Sequence, residues 1–139
     1  MNDRTCVFCQ IVEGSLDADM VLDDGAVMAF LDRSPLFVGH VLVIPRVHVE
    51  TIVDAPAELL AALFAQVQRI AAVLPAALGA EGSFVANNNV VSQSVPHLHV
   101  HVVPRRRRDG LRGFFWPRQK YAAGEAAVTA GLLRDALQR

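Results

Sequence analysis

The sequence contains no apolar run that approaches the ~20 residues needed to cross a bilayer, and residues 1–4 lead into cysteines instead of a signal-peptide core. It contains no internal repeat and no low-complexity segment, which argues against collagen-like and disordered proteins. Two cysteines are too few for a disulfide-rich scaffold. These absences predict a cytoplasmic globular protein without a membrane partner.

What is present suits one compact domain over residues 1–139, because 53% of the residues are hydrophobic and 19% are charged. Charge is unevenly spread along the chain. Residues 1–104 carry four basic and eleven acidic groups, whereas residues 105–139 carry nine basic and three acidic groups. The basic end could serve an anionic ligand or be a solvated surface, and charge alone leaves both interpretations open.

The order of the elements predicts an α+β meander. Short apolar, β-branched segments between turn residues predict five strands, at 21–22, 27–31, 41–44, 83–86 and 98–103. From Pro56 onward, apolar residues recur at i, i+3, i+4 and i+7, which predicts a long helix that ends near Pro75 or Gly79. A last helix is predicted over 125–137. Strands that precede one long helix, without regular βαβ alternation, argue against a doubly wound sheet.

Three histidines alternate with apolar residues in segment 97–103, His-Leu-His-Val-His-Val-Val. On a strand, His97, His99 and His101 share one face, and the apolar residues between them face the core. Two chemistries could use such a row of imidazoles. The rings could hold a catalytic zinc, or a neutral ring could attack phosphorus and form a covalent intermediate.

Residues 92–105 closely resemble the signature of the histidine-triad (HIT) family, His-φ-His-φ-His-φ-φ with φ apolar. Segments 6–12, 29–32 and 39–48 agree with the family in order and spacing, so the resemblance covers about residues 5–105. It implies a five-stranded antiparallel sheet with helices on one side, paired with a second copy as a homodimer. Residues 106–139 would then form a basic, aromatic loop and a C-terminal helix.

The resemblance also implies an activity, because family members cleave or transfer at the α-phosphate of nucleoside phosphates joined to an amine, a second nucleotide or another leaving group. The expected substrate is a nucleoside phosphoramidate or a dinucleoside polyphosphate, with adenine or guanine as the base. By position, His99 matches the nucleophile that forms a nucleotidyl-histidine, and His101 matches the histidine that contacts the phosphate and the leaving group. Ser94 and Gln93 match groups that bracket the phosphate. Asp32 matches the carboxylate that binds the ribose hydroxyls, although an Asp before Ser-Pro is also typical of a turn.

Three further residues occupy positions at which relatives contact the nucleotide. Phe8 and Phe30 match apolar residues that flank the base, although phenylalanines are equally typical of a core. Asn87 aligns with a loop that often supplies a ribose or phosphate contact. His40 lies outside these sets, and we interpret it as structural.

Cys6 and Cys9 form a Cys-x-x-Cys pair, which by itself is typical of a metal site, a redox pair or two buried thiols. His48 and His97 are the other candidate ligands, and two thiolates with two imidazoles make a closed, tetrahedral zinc site of the structural type. Many microbial relatives bind zinc with this set. We therefore expect a structural zinc and no catalytic metal.

The basic stretch 105–120 contains the aromatic cluster Phe114-Phe115-Trp116. We expect it to shape the leaving-group pocket or to be partly solvated, and we do not expect nucleic acid as a partner. Two alternatives to the nucleotide hydrolase or transferase stay open. One is a zinc hydrolase that uses all three triad histidines, and the other is a nucleotide-binding module without turnover.

Overall fold

The computed structural model describes residues 3–111 and 118–139. Within them, the elements in chain order are α1 (Val7–Glu13), β1 (Met20–Asp23), β2 (Val27–Leu31), β3 (Val41–Pro45), α2 (Ala57–Leu78), β4 (Gly82–Ala86), β5 (Val100–Arg105) and α3 (Glu125–Leu137). The chain divides into two compact units, Met1–Asp109 and Gly110–Arg139. The first contains the sheet with α1 and α2, and the second contains α3. The aromatic cluster 114–116 lies outside the described residues.

The five strands form one sheet in the order β1-β2-β3-β5-β4, and every neighbouring pair is antiparallel. This confirms the predicted α+β fold with a five-stranded antiparallel sheet. β1 and β4 are the two edges. β5, which follows the first two triad histidines, lies between β3 and β4, and its His101 pairs with Leu42 of β3. The prediction that residues 1–139 form a single domain with a core over 5–105 stays a prediction.

Both faces of the sheet are covered, because side chains that alternate along each central strand enter two different clusters. In β2, Val27 and Ala29 pack in the cluster that contains the buried face of α2, while Met28 and Phe30 pack with α1. A strand that is buried on both sides needs apolar residues at every position, as β2 and β3 show. The expectation that all helices lie on one side of the sheet is therefore wrong for α1.

Helix α1 was not predicted, because its seven residues are too few to display a helical period. Its ends nevertheless carry recognisable signals. At the N-terminus, the Cys6 sulfur accepts a hydrogen bond from the Cys9 N–H at 3.4 Å, and at the C-terminus Gly14 adopts the left-handed conformation. Phe8, Cys9 and Ile11 form its buried side.

Strand β5 begins and ends two residues later than predicted, so His97, Leu98 and His99 precede it. The alternation still holds through this approach, because Leu98, Val100 and Val102 all enter the cluster under α2. Pro104 fits inside β5 because only residues 100–102 pair with β3, which leaves the missing proline N–H beyond that ladder.

Helix α2 ends at Leu78 with Gly79 as its C-cap, near the predicted end, and Pro75 lies inside its last turn. At 22 residues it is long and apolar enough to span a membrane, contrary to the sequence-based expectation. Its side chains Leu63, Val67, Ile70 and Leu74 are instead buried against the sheet. A core helix passes the same test of length and composition.

Arginines at the end of β5 and directly after it bind groups of their own chain. Arg105 pairs with Asp109 at 2.6 Å, the Arg106 guanidinium donates to the Leu78 carbonyl, and Arg107 pairs with Glu81. A cation at the end of α2 also complements the partial negative charge of the helix C-terminus. These partners show that at least part of the basic run joins the end of α2 to the end of β5.

Gly39 occupies a position that other residues cannot take without strain, and the turn that it forms leads directly into His40. Its φ is +96°, and a Cβ placed there would collide with the Leu78 side chain and approach Pro104 Cγ at 3.1 Å. We expect Gly39→Ala to lower the free energy of unfolding by about 2–3 kcal/mol, through backbone strain and overpacking together. Urea denaturation followed by circular dichroism would measure this loss.

Gly25→Ala is the matched control, because Gly25 has φ +90° but a Cβ at this position would meet no neighbour within 4 Å. This control should lose only about 1 kcal/mol, from backbone strain alone. Equal losses in the two variants would contradict the steric argument for Gly39.

Candidate active site

His99 is buried, with 2% of its surface exposed, and its Nδ1 lies 2.7 Å from the His97 carbonyl oxygen. A carbonyl oxygen can only accept, so Nδ1 carries the proton and the Nε2 lone pair is free. Burial lowers the pKa of His99 below its usual value, and the hydrogen bond to the His97 carbonyl and the nearby Asp32 only partly offset this. His99 is therefore a neutral imidazole with one nucleophilic nitrogen near pH 7.

A chain of hydrogen bonds sets the orientation of His101. The Leu36 N–H donates to His40 Nδ1 at 3.1 Å, so the proton of the neutral His40 ring is on Nε2. This Nε2–H donates to His101 Nδ1 at 2.9 Å. The remaining ring nitrogen of His101, Nε2, consequently carries a proton that it can donate.

The sequence analysis did not predict that His40 orients the His101 ring. A signal was available, because alternation along β3 places His40 on the same face as Leu42, which pairs with His101. Burial lowers the pKa of His40, and it lowers the pKa of His101 to about 4, with His99 and His40 adding to the effect. The histidines of this network are therefore uncharged donors and acceptors at neutral pH.

A cleft of about 200 Å³ opens over His99 and His101. Its lining is mainly apolar and includes Val7, Phe8, Ile11, Ala18, Phe30 and Leu42. Its polar and charged lining residues are Asp32, Arg33, Ser94, His99 and His101. Such a cleft suits a ligand that combines a flat apolar part with a hydroxylated, anionic part.

Asp32 satisfies both interpretations of its sequence context. Its Oδ1 accepts the Ser34 N–H at 2.8 Å, which is the turn contact expected of an Asp at this point. Its Oδ2 lies 3.7 Å from His40 Nε2, and Asp32 is part of the cleft lining. One carboxylate therefore closes the turn and also offers an acceptor to a ligand.

Phe8 and Phe30 likewise belong to both the core and the cleft. Both are buried, and their rings meet edge to face with centroids 5.4 Å apart. The Phe8 ring also contacts His99, at a centroid distance of 5.1 Å. The apolar lining of the cleft is thus continuous with the packing around His99.

Gln93 and Asn87 are not among the residues that line this cleft. The Gln93 amide donates to the Glu50 carbonyl at 2.6 Å and accepts the Val90 N–H at 2.9 Å. The Asn87 amide donates to the carbonyl of His99 at 2.8 Å. In this structure both amides hold the loops around the site, so the predicted contacts of these two residues with a nucleotide stay predictions.

The four predicted metal ligands come together around the His97 ring. Cys6 Sγ lies 3.5 Å from His97 Nδ1, and Cys9 Sγ lies 3.3 Å from His48 Nδ1 and 3.7 Å from His97 Nδ1. All four ligand atoms are within 4.8 Å of one another. We call this set the thiol–imidazole cluster.

The chemistry of the thiol–imidazole cluster fits a zinc ion. His97 Nε2 lies 2.8 Å from the Pro45 carbonyl, so Nε2 holds the ring proton and the Nδ1 lone pair faces the sulfurs. Burial lowers the pKa of His97 to about 4, which keeps that lone pair free, and raises the pKa of the Cys9 thiol to about 11. A bound cation would have to displace the thiol proton. Four protein ligands leave no open position for water.

A second group of possible ligands, Asp32, His40 and His101, overlaps the cleft. A cation does not fit there, because neither ring nitrogen of His40 offers it a lone pair. The Leu36 N–H donates to Nδ1, and the Nε2 that faces the group carries the proton. Within the described residues, neither group of ligand atoms includes His99. The zinc-hydrolase alternative requires all three triad histidines to bind one metal ion. In this structure they do not converge on one metal.

Comparison with known proteins agrees with this geometry. The HIT domain profile matches residues 13–108. A HIT-like protein of Methanocaldococcus jannaschii is 39% identical over 107 residues, which cover 76% of this chain and 82% of the relative. The adenosine 5'-monophosphoramidase of Schizosaccharomyces pombe is 31% identical over 115 residues, which cover 81% and 84%.

Solved structures are similar to this chain in fold as well as in sequence. The crystal structure of a zinc-bound histidine triad family protein from Mycobacterium smegmatis is 35% identical and superposes with a TM-score of 0.75. The match covers 97% of this chain and 98% of that one. Because the profile spans most of the chain and its sequence relatives match over most of their own length, this chain belongs to the HIT family of histidine-triad proteins.

Proposed function

We propose that the protein is a nucleotide hydrolase or nucleotidyl transferase that acts at the α-phosphate through a covalent nucleotidyl-histidine at His99. One observation carries the proposal. The hydrogen bond from His99 Nδ1 to the His97 carbonyl leaves the Nε2 lone pair available beside a cleft that is lined by apolar residues and by Asp32, Arg33 and Ser94. The phosphoramidase activity in the name of the S. pombe relative agrees with this reaction class.

The cleft suggests how a nucleoside 5'-phosphate would bind. The base would lie against Phe8 and Phe30, because planar rings are stabilised by aromatic and aliphatic walls. The ribose hydroxyls would donate to Asp32. The phosphate would then lie among Ser94, His99 and His101, where neutral donors stabilise the equatorial oxygens as charge develops on them.

In the first step, His99 Nε2 forms a bond to phosphorus while the bond from phosphorus to the leaving group breaks. An amine leaving group departs as the neutral amine, because it carries its proton in the protonated phosphoramidate. The ring then bears a positive charge, which the His97 carbonyl stabilises through Nδ1. His101 Nε2–H donates a hydrogen bond to the phosphate or the leaving group throughout.

In the second step, water or another acceptor attacks phosphorus and the bond to Nε2 breaks. The nucleoside monophosphate leaves, the water proton is released, and His99 returns to its neutral form. A two-step reaction through a covalent histidine suits both hydrolysis and transfer, because only the final acceptor differs.

Zinc is proposed as the occupant of the thiol–imidazole cluster, held by Cys6, Cys9, His48 and His97. Its contribution would be structural, because a closed site with four protein ligands offers no position for substrate or water. The zinc-bound M. smegmatis neighbour supports the choice of metal. Reduced thiols are needed as ligands, and a reducing compartment provides them, so we place the protein in the cytoplasm.

A homodimer is proposed from the edge of the sheet. β4 is an edge strand. Its Val85 pairs with Val102, which belongs to the core under α2, so the Val85 side chain lies on the α2 side of the sheet. There it is 41% exposed. Phe64 lies on the flank of α2 away from Gln66, whose amide binds the β1–β2 turn, and is therefore on the β4 side. A second copy that pairs through β4 would cover both side chains.

The dimer predicts a sedimenting mass of twice the 15.1 kDa of one chain. Val85→Lys should shift the protein toward the monomer, because a lysine on an edge strand opposes pairing. Sedimentation velocity over a dilution series would measure this shift. Val53→Lys, at a loop side chain that is 86% exposed, is the control and should leave the mass unchanged. A wild-type protein that sediments as a monomer at micromolar concentration would rule the dimer out.

The nucleophile is tested by AMP release from adenosine 5'-phosphoramidate. His99→Asn should lower kcat by about a thousandfold or more, because no other group replaces the attacking nitrogen. AMP binding, measured by calorimetry, should weaken by less than about tenfold, because the cleft walls and Asp32 remain. Brief acid quenching of the wild type should trap an adenylylated protein that mass spectrometry detects.

Two outcomes would count against this mechanism. Turnover by His99→Asn at the wild-type rate would remove His99 as the nucleophile. AMP binding by the wild type without product from any tested nucleotide would instead favour a binding module.

The pH dependence follows from the electrostatics of the triad. His99 must be neutral to attack, and burial lowers its pKa, so the acid limb of kcat/KM should lie below pH 6.5. The Asp32 carboxylate raises the pKa values of His40, His99 and His101. Asp32→Asn should therefore move the acid limb to lower pH and raise KM, since the ribose acceptor is also lost.

Asp23→Asn is the control for this pH profile, because it removes the same charge from an exposed strand that does not line the cleft. Its pH profile should match that of the wild type. An acid limb that moves to higher pH in Asp32→Asn would contradict the assignment.

A further inference from the structure

The thiol–imidazole cluster joins three separate segments of the chain. Cys6 and Cys9 belong to the cap and the first turn of α1, His48 follows β3, and His97 precedes β5. α1 lies on the face of the sheet opposite α2. The cluster therefore connects a short helix to the end of β3 and to the segment that leads into β5.

The same segments also build the nucleotide cleft. Phe8 and Ile11 of α1 form part of the apolar wall. His97 holds its carbonyl against His99 Nδ1, while its own ring is fixed between the sulfurs and the Pro45 carbonyl. The Phe8 ring contacts both histidine rings, with centroids 5.8 Å from His97 and 5.1 Å from His99.

We propose that the thiol–imidazole cluster is a positioning device for the reaction: when it holds a metal, it fixes α1, which carries the nucleoside wall, against the segment that carries His99. This inference rests on the proposed function, because it concerns the affinity of the cleft for a nucleotide. His97 acts as a positioning residue through its carbonyl, Cys6 and Cys9 act through α1, and His48 acts by holding the metal from the end of β3. Metal loading then sets the position of the α1 side of the cleft relative to the segment that carries His99.

A metal in the cluster would fix the position of α1 because this helix is otherwise held only weakly. The helix has seven residues, which is too short for independent stability. Apolar contacts of Phe8 and Ile11 place it on the sheet, and apolar contacts do not prescribe one orientation as a tetrahedral metal site does. The core beneath α2 is a separate cluster of residues, so loss of metal should change the cleft more than it changes the fold.

His48 allows a direct test, because it is a ligand of the cluster but does not line the cleft. His48→Ala removes one ligand, whereas His48→Cys keeps a four-ligand set of a kind that also binds zinc. Wild type should contain about one zinc per chain, measured by atomic emission, and His48→Ala should contain less. We expect His48→Ala to weaken AMP binding and raise KM by roughly tenfold, and kcat at saturation to change less.

Rescue and a matched control separate positioning from general stability. His48→Cys should recover both the zinc content and most of the AMP affinity. Leu74→Ala opens a cavity in the core under α2, on the opposite face of the sheet, and so destabilises the fold without touching the cleft. It should keep wild-type affinity for AMP at a temperature where it is folded.

A second measurement avoids dependence on any variant. Wild-type protein is treated with a chelator and then reloaded with zinc alone, with AMP affinity followed by calorimetry and folding by circular dichroism. A fall in affinity in folded, metal-free protein that zinc restores supports the proposal. Unchanged AMP affinity in folded, metal-free protein overturns it and leaves the proposed function standing. Failure of the zinc-loaded wild type to bind or turn over any nucleotide would instead overturn the proposed function.

Discussion

The hydrogen bond between His99 Nδ1 and the His97 carbonyl is the interaction on which the chemistry proposed for this site depends. It places the proton on one ring nitrogen and leaves a lone pair on the other. Burial supports the same state, because a charged imidazolium is disfavoured where water is excluded. His97 contributes only its carbonyl to this bond, so its side chain is available for the thiol–imidazole cluster.

The sheet places the core residues and the histidines of this segment on opposite faces. Its central strands are apolar on both faces, with α2 over one face and α1 over the other. On the α2 side, Leu98, Val100 and Val102 are core residues. On the α1 side, the histidines between them meet the sulfurs, the cleft or another histidine. Because side chains alternate along this short segment, the residues that stabilise the core lie on one face of the sheet and the histidines of the site lie on the other.

Much of the fold and the site could be predicted, because these features depend on local patterns. Strand alternation predicted which residues near His99 face the core, and the left-handed Gly79 ended α2 where a glycine was expected. The resemblance to the HIT family pointed to Asp32, Ser94, His99 and His101, which all line the cleft. Other features could not be predicted. α1 is too short for a period, and the partners of the Gln93 amide are the Glu50 carbonyl and the Val90 N–H, to which no local pattern points.

The sequence by itself determined the family, the strand pattern, the candidate nucleophile and the four candidate metal ligands, because each is written in residue identity and spacing. Only the tertiary structure decided how the histidines divide their tasks. His40 is distant from the triad along the chain and meets His101 only because β3 and β5 pair in one register. The proton positions on these rings depend on carbonyl and N–H groups that every sequence contains and that only folding brings to a particular nitrogen.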